Sequence, residues 1–117
     1  MFYAPKALES RPVAAAGTAG SAVYDQSNIQ PAGALSIQWS RQTAAARPKL
    51  RVMGSNMQDA QTTPDSAAVV WRQCHEVELT ALTGSLEIAA PPYRYVRFVL
   101  MGATADEAGA SVYPCWP

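Results

Sequence analysis

The sequence predicts an all-β protein: an antiparallel β-sandwich or jelly-roll-like barrel of about seven to eight strands, with an extended N-terminal arm. Three observations predict it. Large apolar residues alternate with polar ones in short runs, most clearly Leu35, Ile37 and Trp39 against Ser36, Gln38 and Ser40. Gly, Pro, Asn and Asp, the residues of turns, separate these runs. Nowhere do large apolar residues recur convincingly at the three- and four-residue spacing of a helix face.

The elements follow in chain order. Residues 1–20 are small and proline-punctuated, as in "RPVAAAGTAG", and are expected to form an arm that orders on a neighbour. Residues 21–117 are expected to form a single sandwich domain, since 117 residues suit one domain. "SAVYDQ" (21–26) is a short strand and "GALSIQWSR" (33–41) an amphipathic one. "RPKLRVMG" (47–54) sets Leu50 and Val52 against Lys49 and Arg51. Residues 55–66 are polar or small and form a long loop, a length that in small domains goes with function or mobility. Residues 67–82 exceed a usual strand and predict one long bent strand, or two with a bulge near Gln73 to His75. "GSLEIAA" (84–90) places Leu86 and Ile88 on one face and Glu87 on the other. After Pro91 and Pro92, "YRYVRFVLMG" (93–102) runs from Tyr93 to Leu100 without a turn residue, and 103–110 is a polar connector. "SVYPCW" (111–116) closes the chain, with Pro114 placing that strand at an edge or near its end.

Composition narrows the functions. Alanine supplies 22 of the apolar residues, so the core rests on few large side chains, and a thin core favours burial against other subunits. Nine Lys and Arg balance nine Asp and Glu, which argues against a nucleic-acid binder or a ligand of anionic membranes. The cluster Arg41, Arg47, Lys49 and Arg51 reads as a solvated loop and strand edge. No apolar run is long enough to span a bilayer, and "MFYAPKALES" lacks the pattern of an export signal. Cys74 and Cys115 are expected to be separate thiols.

No catalytic constellation emerges, and neither enzyme activity, a cofactor nor a metal is expected. His75 is the single histidine. Strand geometry puts Glu76 and Glu78 on the face opposite it, and the helical zinc motif H-E-x-x-H is absent. Asp59, Asp65, Asp106 and Glu107 lie in separate loops with nothing to bring them together as a hydrolytic pair. "GTAGSA" (17–22) lacks the lysine of a phosphate loop, and no G-x-S-x-G elbow occurs. Trp39 and Trp71 are expected to pack in the core or between the sheets. Trp116 is expected to anchor the C-terminal tail on its own domain or on a neighbour.

The series "LRVMGSN" (50–56), a loop, "VVWRQCHEVEL" (69–79) and "YRYVRFVLMG" (93–102) resembles the layout of discoidin-like (galactose-binding-like) sandwiches. It is also similar to small β-sandwich proteins of tailed-phage virions, head-decoration and tail-associated proteins among them. The loop after Gly54, Ser55 and Asn56 is longer than in the discoidin-like pattern, and no binding site carries over residue by residue. The resemblance implies a non-enzymatic structural protein of a virion, a capsid decoration (cement) or tail-associated protein assembled in the host cytoplasm. Its expected partners are copies of itself and other virion proteins. The alternative is a carbohydrate-binding module for host attachment, with a glycan as ligand. Candidate interface residues are Phe2, Tyr3 and Arg11 of the arm, Tyr93, Tyr95 and Arg97 of the basic-aromatic run, and Trp116.

Overall fold

The alternating runs fold into two antiparallel sheets packed face to face, in a computed structural model that describes residues 2–3, 18–26, 34–41, 48–102 and 110–116. The elements are β1 (Phe2–Tyr3), β2 (Thr18–Gly20), β3 (Tyr24–Asp25), β4 (Ala34–Arg41), β5 (Lys49–Ser55), α1 (Asp59–Thr62), β6 (Arg72–Glu78), β7 (Thr83–Ala89), β8 (Tyr95–Met101) and β9 (Ala110–Trp116). One sheet has the order β1-β9-β4-β7. The other has the order β2-β8-β5-β6, with β3 also pairing to β8. Of the two expected architectures it is the sandwich.

Period-two burial explains the packing. Leu35 and Ile37 of β4 and Val112 and Trp116 of β9 face Leu50 and Val52 of β5 and Val96, Phe98 and Leu100 of β8. Each of these is at most 1% exposed. Tyr24 reaches this core from β3, its ring 5.9 Å from Phe98 and 5.2 Å from Trp116. Burial raises the Tyr24 phenol above its ordinary value of 10.0, so the unfolded chain ionises first as pH rises past that value. The contribution is complete below pH 10 and is lost as pH climbs through the raised folded value. Urea midpoints at about pH 8 and about pH 10.5 are expected to differ less for Tyr24→Phe than for the parent chain.

Several elements depart from expectation. The strand expected at 21–26 is reduced to Tyr24–Asp25. It follows β2 along β8 with the register advanced by one residue. Ser21 fills the break: its N–H donates to the Phe98 carbonyl at 2.8 Å, and its hydroxyl accepts the Phe98 N–H at 2.9 Å. Of the residues expected in the arm, Phe2–Tyr3 pairs with β9 and Thr18–Gly20 with β8, and 4–17 lie outside the described residues. Both segments thus belong to the sheets.

The long run 67–82 yields a single strand, β6. Its bulge falls within the expected stretch: Val52 pairs with His75 and Met53 with Gln73, leaving Cys74 unpaired. Within β9, Pro114 lies opposite Ile37. By the alternation of the ladder its missing N–H faces the β1 side, where β1 is only two residues long.

Candidate interaction surfaces

The part of the outer face of the β8 sheet around Tyr95 and Arg97 is covered by its own chain. Residues 56–71, including α1, fold back over it, and Ala60, Val69 and Tyr95 form a second apolar cluster with Val23 and Trp71 against it. Trp71 donates its indole N–H to the Pro64 carbonyl at 2.9 Å. The Arg97 guanidinium lies 5.4 Å from the Trp71 ring centre. It also donates to Asp65 Oδ1 at 2.9 Å and to the Pro64 carbonyl at 3.4 Å.

The end of β5 at Gly54 and Ser55, with Asn56 after it, seats the start of the basic-aromatic run. A side chain at Gly54 would collide with the Tyr93 ring, its nearest atoms including Cγ at 2.7 Å and Cβ at 2.9 Å. Asn56 Oδ1 accepts the Arg94 N–H at 2.9 Å, and Ser55 Oγ accepts the Met57 N–H at 3.2 Å. Two stretches that stand out in the sequence are therefore one joint in space. Gly54→Ala is expected to cost about 1–3 kcal/mol of stability by displacing that ring, measurable by urea denaturation.

This geometry corrects part of the candidate interface. Tyr95 is 1% exposed beneath the folded-back segment, and the Arg97 side chain is 11% exposed. Trp116 is fully buried between Tyr24 and Phe98, its indole N–H bound to Gln26 Oε1 at 2.7 Å. None of these three offers a free surface, because the face read as wet is covered by residues 56–71 and Trp116 points inward. Tyr93 is half-buried on Gly54. Phe2 and Tyr3 pair through their backbones with Trp116 and Cys115, and Arg11 lies outside the described residues.

Among the described residues the basic cluster does not form a free patch. Arg41 is buried, donating to the carbonyls of Ala81 and Thr80 at 3.0 Å each. Lys49 and Arg51 share Glu76 at 3.7 and 3.5 Å. Arg47 lies outside the described residues. Both described thiols are free, Cys74 on β6 and Cys115 on β9, in different sheets. Burial raises the Cys74 thiol against a smaller opposing effect of Arg72, which disfavours the reactive thiolate.

The outer face of the opposite sheet presents Ser36, Gln38 and Ser40 of β4 between Thr83, Ser85 and Glu87 of β7 and Tyr113 and Cys115 of β9, with Ser111 of the same face buried. An open cleft of about 500 Å³ runs along Gln38, Ser40, Thr83, Ser85 and Tyr113. Tyr113 is 40% exposed there.

The sheet edges differ as well. β6 is guarded by its bulge and by Arg72, Glu76 and Glu78, while β1, β2 and β3 are short. β7 is seven residues of smooth strand, TGSLEIA, with one charge, no proline and no bulge. Among the described residues only β4 pairs with it. Leu86 and Ile88 reach the core but stay partly exposed at this edge, and Leu82 just before it is 48% exposed. The single charge of "GSLEIAA" was legible in sequence, but its edge position appears only in the sheet order.

The chain superimposes on the crystal structure of PirA with a TM-score of 0.63, covering 96% of each chain at 10% sequence identity. The fold is similar to that of PirA. At that identity the likeness concerns the fold alone. No family model matches the chain, and no curated protein does.

Proposed function

We propose that this chain is a non-enzymatic structural protein of a virion, a capsid decoration or tail-associated subunit that stabilises an assembly through subunit contacts. The observation that carries this reading is the unguarded β7 edge. A long edge strand with a single charge and neither proline nor bulge invites pairing with another chain, and soluble monomers normally block such edges. The layout over residues 50–102 supports the virion setting, and the cover over Tyr95 and Arg97 takes that part of the β8 sheet out of contact-making. The test is to produce the chain together with particle-forming genes from its own genomic neighbourhood and to purify particles on a density gradient. A fixed copy number of the chain per particle supports the proposal; a chain left wholly in the soluble fraction overturns it.

A second reading, a carbohydrate-binding module, is favoured by the polar cleft beside Tyr113. An exposed tyrosine ring with Gln38 and Ser85 nearby offers stacking and hydrogen bonds to a sugar. A glycan array with Tyr113→Ala as control tests it, and binding that survives the substitution excludes this cleft.

A further inference from the structure

We infer that the β7 edge is made to pair with β7 of a second copy, antiparallel, about a two-fold axis at Leu86. The inference deepens the assembly reading and rests on it only in taking this edge as a contact surface.

The backbone fixes which groups are available. The Arg41 N–H donates to the Leu82 carbonyl at 2.7 Å, and these two residues continue the β4–β7 register. The ladder alternates from there, so Gly84, Leu86 and Ile88 direct their N–H and C=O groups to β4. Thr83, Ser85, Glu87 and Ala89 direct theirs to the open edge. Centring an antiparallel partner on Leu86 puts Ser85 opposite Glu87 of the second copy and Thr83 opposite its Ala89. These are the outward-facing residues, so each pair exchanges backbone hydrogen bonds, and Leu86 meets its own copy as a close, non-bonded pair.

Side chains agree with this register. On the inner face, Leu82 meets Ala90 of the second copy, Gly84 meets Ile88, and Leu86 meets Leu86, an unbroken apolar row. The Trp39 ring fills the space above Gly84 and is itself only partly buried, so Ile88 of the second copy would land beside it. On the outer face the one charge of the strand, Glu87, faces a serine. A register centred on Glu87 would set two carboxylates opposite each other, which is unfavourable. One centred on Ser85 leaves Ala89 beyond the partner strand. Pro91 has no N–H to donate and ends the ladder just past Ala90. The result is a continuous sheet through both copies, related by the closed two-fold symmetry usual for dimers.

The test is sedimentation velocity on the full chain over about a hundredfold range of concentration, with substitutions at the exposed outer-face Ser85. The parent chain is expected to pass from monomer to dimer. Ser85→Glu places like charges opposite each other twice and is expected to weaken the dimer roughly 2- to 30-fold. Ser85→Glu with Glu87→Lys pairs them again and is expected to restore it. Ser85→Pro removes only an outward-facing N–H and is expected to abolish dimerisation with an unchanged far-ultraviolet spectrum. A parent chain monomeric throughout, or a dimer indifferent to Ser85→Glu and Ser85→Pro, overturns the inference. A monomer incorporated at fixed copy number into particles sinks self-pairing and leaves the assembly reading standing. A dimer governed by Ser85 but absent from particles supports self-pairing and sinks the assembly reading.

Discussion

Replacing Trp116 with alanine is expected to lower the unfolding free energy by about 3–5 kcal/mol, the usual cost of truncating a buried aromatic. The side chain is fully buried, with its ring centre 5.2 Å from Tyr24 and 6.1 Å from Phe98. It also completes a polar network. Gln26 Oε1 accepts the indole N–H at 2.7 Å, while Gln26 Nε2 donates to the carbonyls of Pro91 and Tyr93 at 2.9 and 2.6 Å. One amide thereby ties β3, β9 and the approach to β8 together. Trp116→Phe separates the two contributions. It keeps an aromatic ring but leaves the Gln26 oxygen without this donor, for an expected loss of about 1–3 kcal/mol. Urea denaturation of both variants checks this; a loss under about 1 kcal/mol for Trp116→Ala would show that the C-terminal strand contributes little to the core.

That network explains why Trp116 was hard to place from sequence. Its position beside Pro117 suggests a tail anchor or an interface, and nothing local says that the strand ends inside the sandwich. The alternation of Leu35, Ile37 and Trp39 is different, because a strand with one apolar face declares its own orientation. The same holds for Val96, Phe98 and Leu100, which share the inner face of β8 as their spacing implies. For the other face of that strand the spacing gives the correct grouping, Tyr95 with Arg97 and Val99, but not its environment. Whether such a face is wet depends on where residues 56–71 go, and the polar and small residues 58–68 in the middle of that segment carry no periodicity to reveal it. The bulge was legible because the run was too long for a flat strand. The open edge at β7 was not, since edge status depends on sheet order and each strand's neighbours lie far away in sequence.

The segment that covers Arg97 makes a second strong expectation. Arg97→Ala is expected to cost about 2 kcal/mol or more, because it removes the stem and guanidinium packed beneath Trp71. Asp65→Asn is expected to cost no more than about 1 kcal/mol. That carboxylate is 86% exposed although it sits only 2.9 Å from the guanidinium, so water screens most of the pair's attraction. Arg97 Nε is buried with no hydrogen-bond partner among the described residues, an uncompensated cost of desolvating the charge. Arg97→Met keeps the stem, drops the charge, and is expected to fall within about 1 kcal/mol of the parent chain. Amide exchange in residues 56–71 reports on the cover directly: it is expected to quicken in Arg97→Ala and to change little in Arg97→Met. If Asp65→Asn matches Arg97→Ala in both stability and exchange, the cover is held by charge and not by packing. The order expected from burial is the reverse, because a side chain 11% exposed beneath an indole acts mainly by filling space.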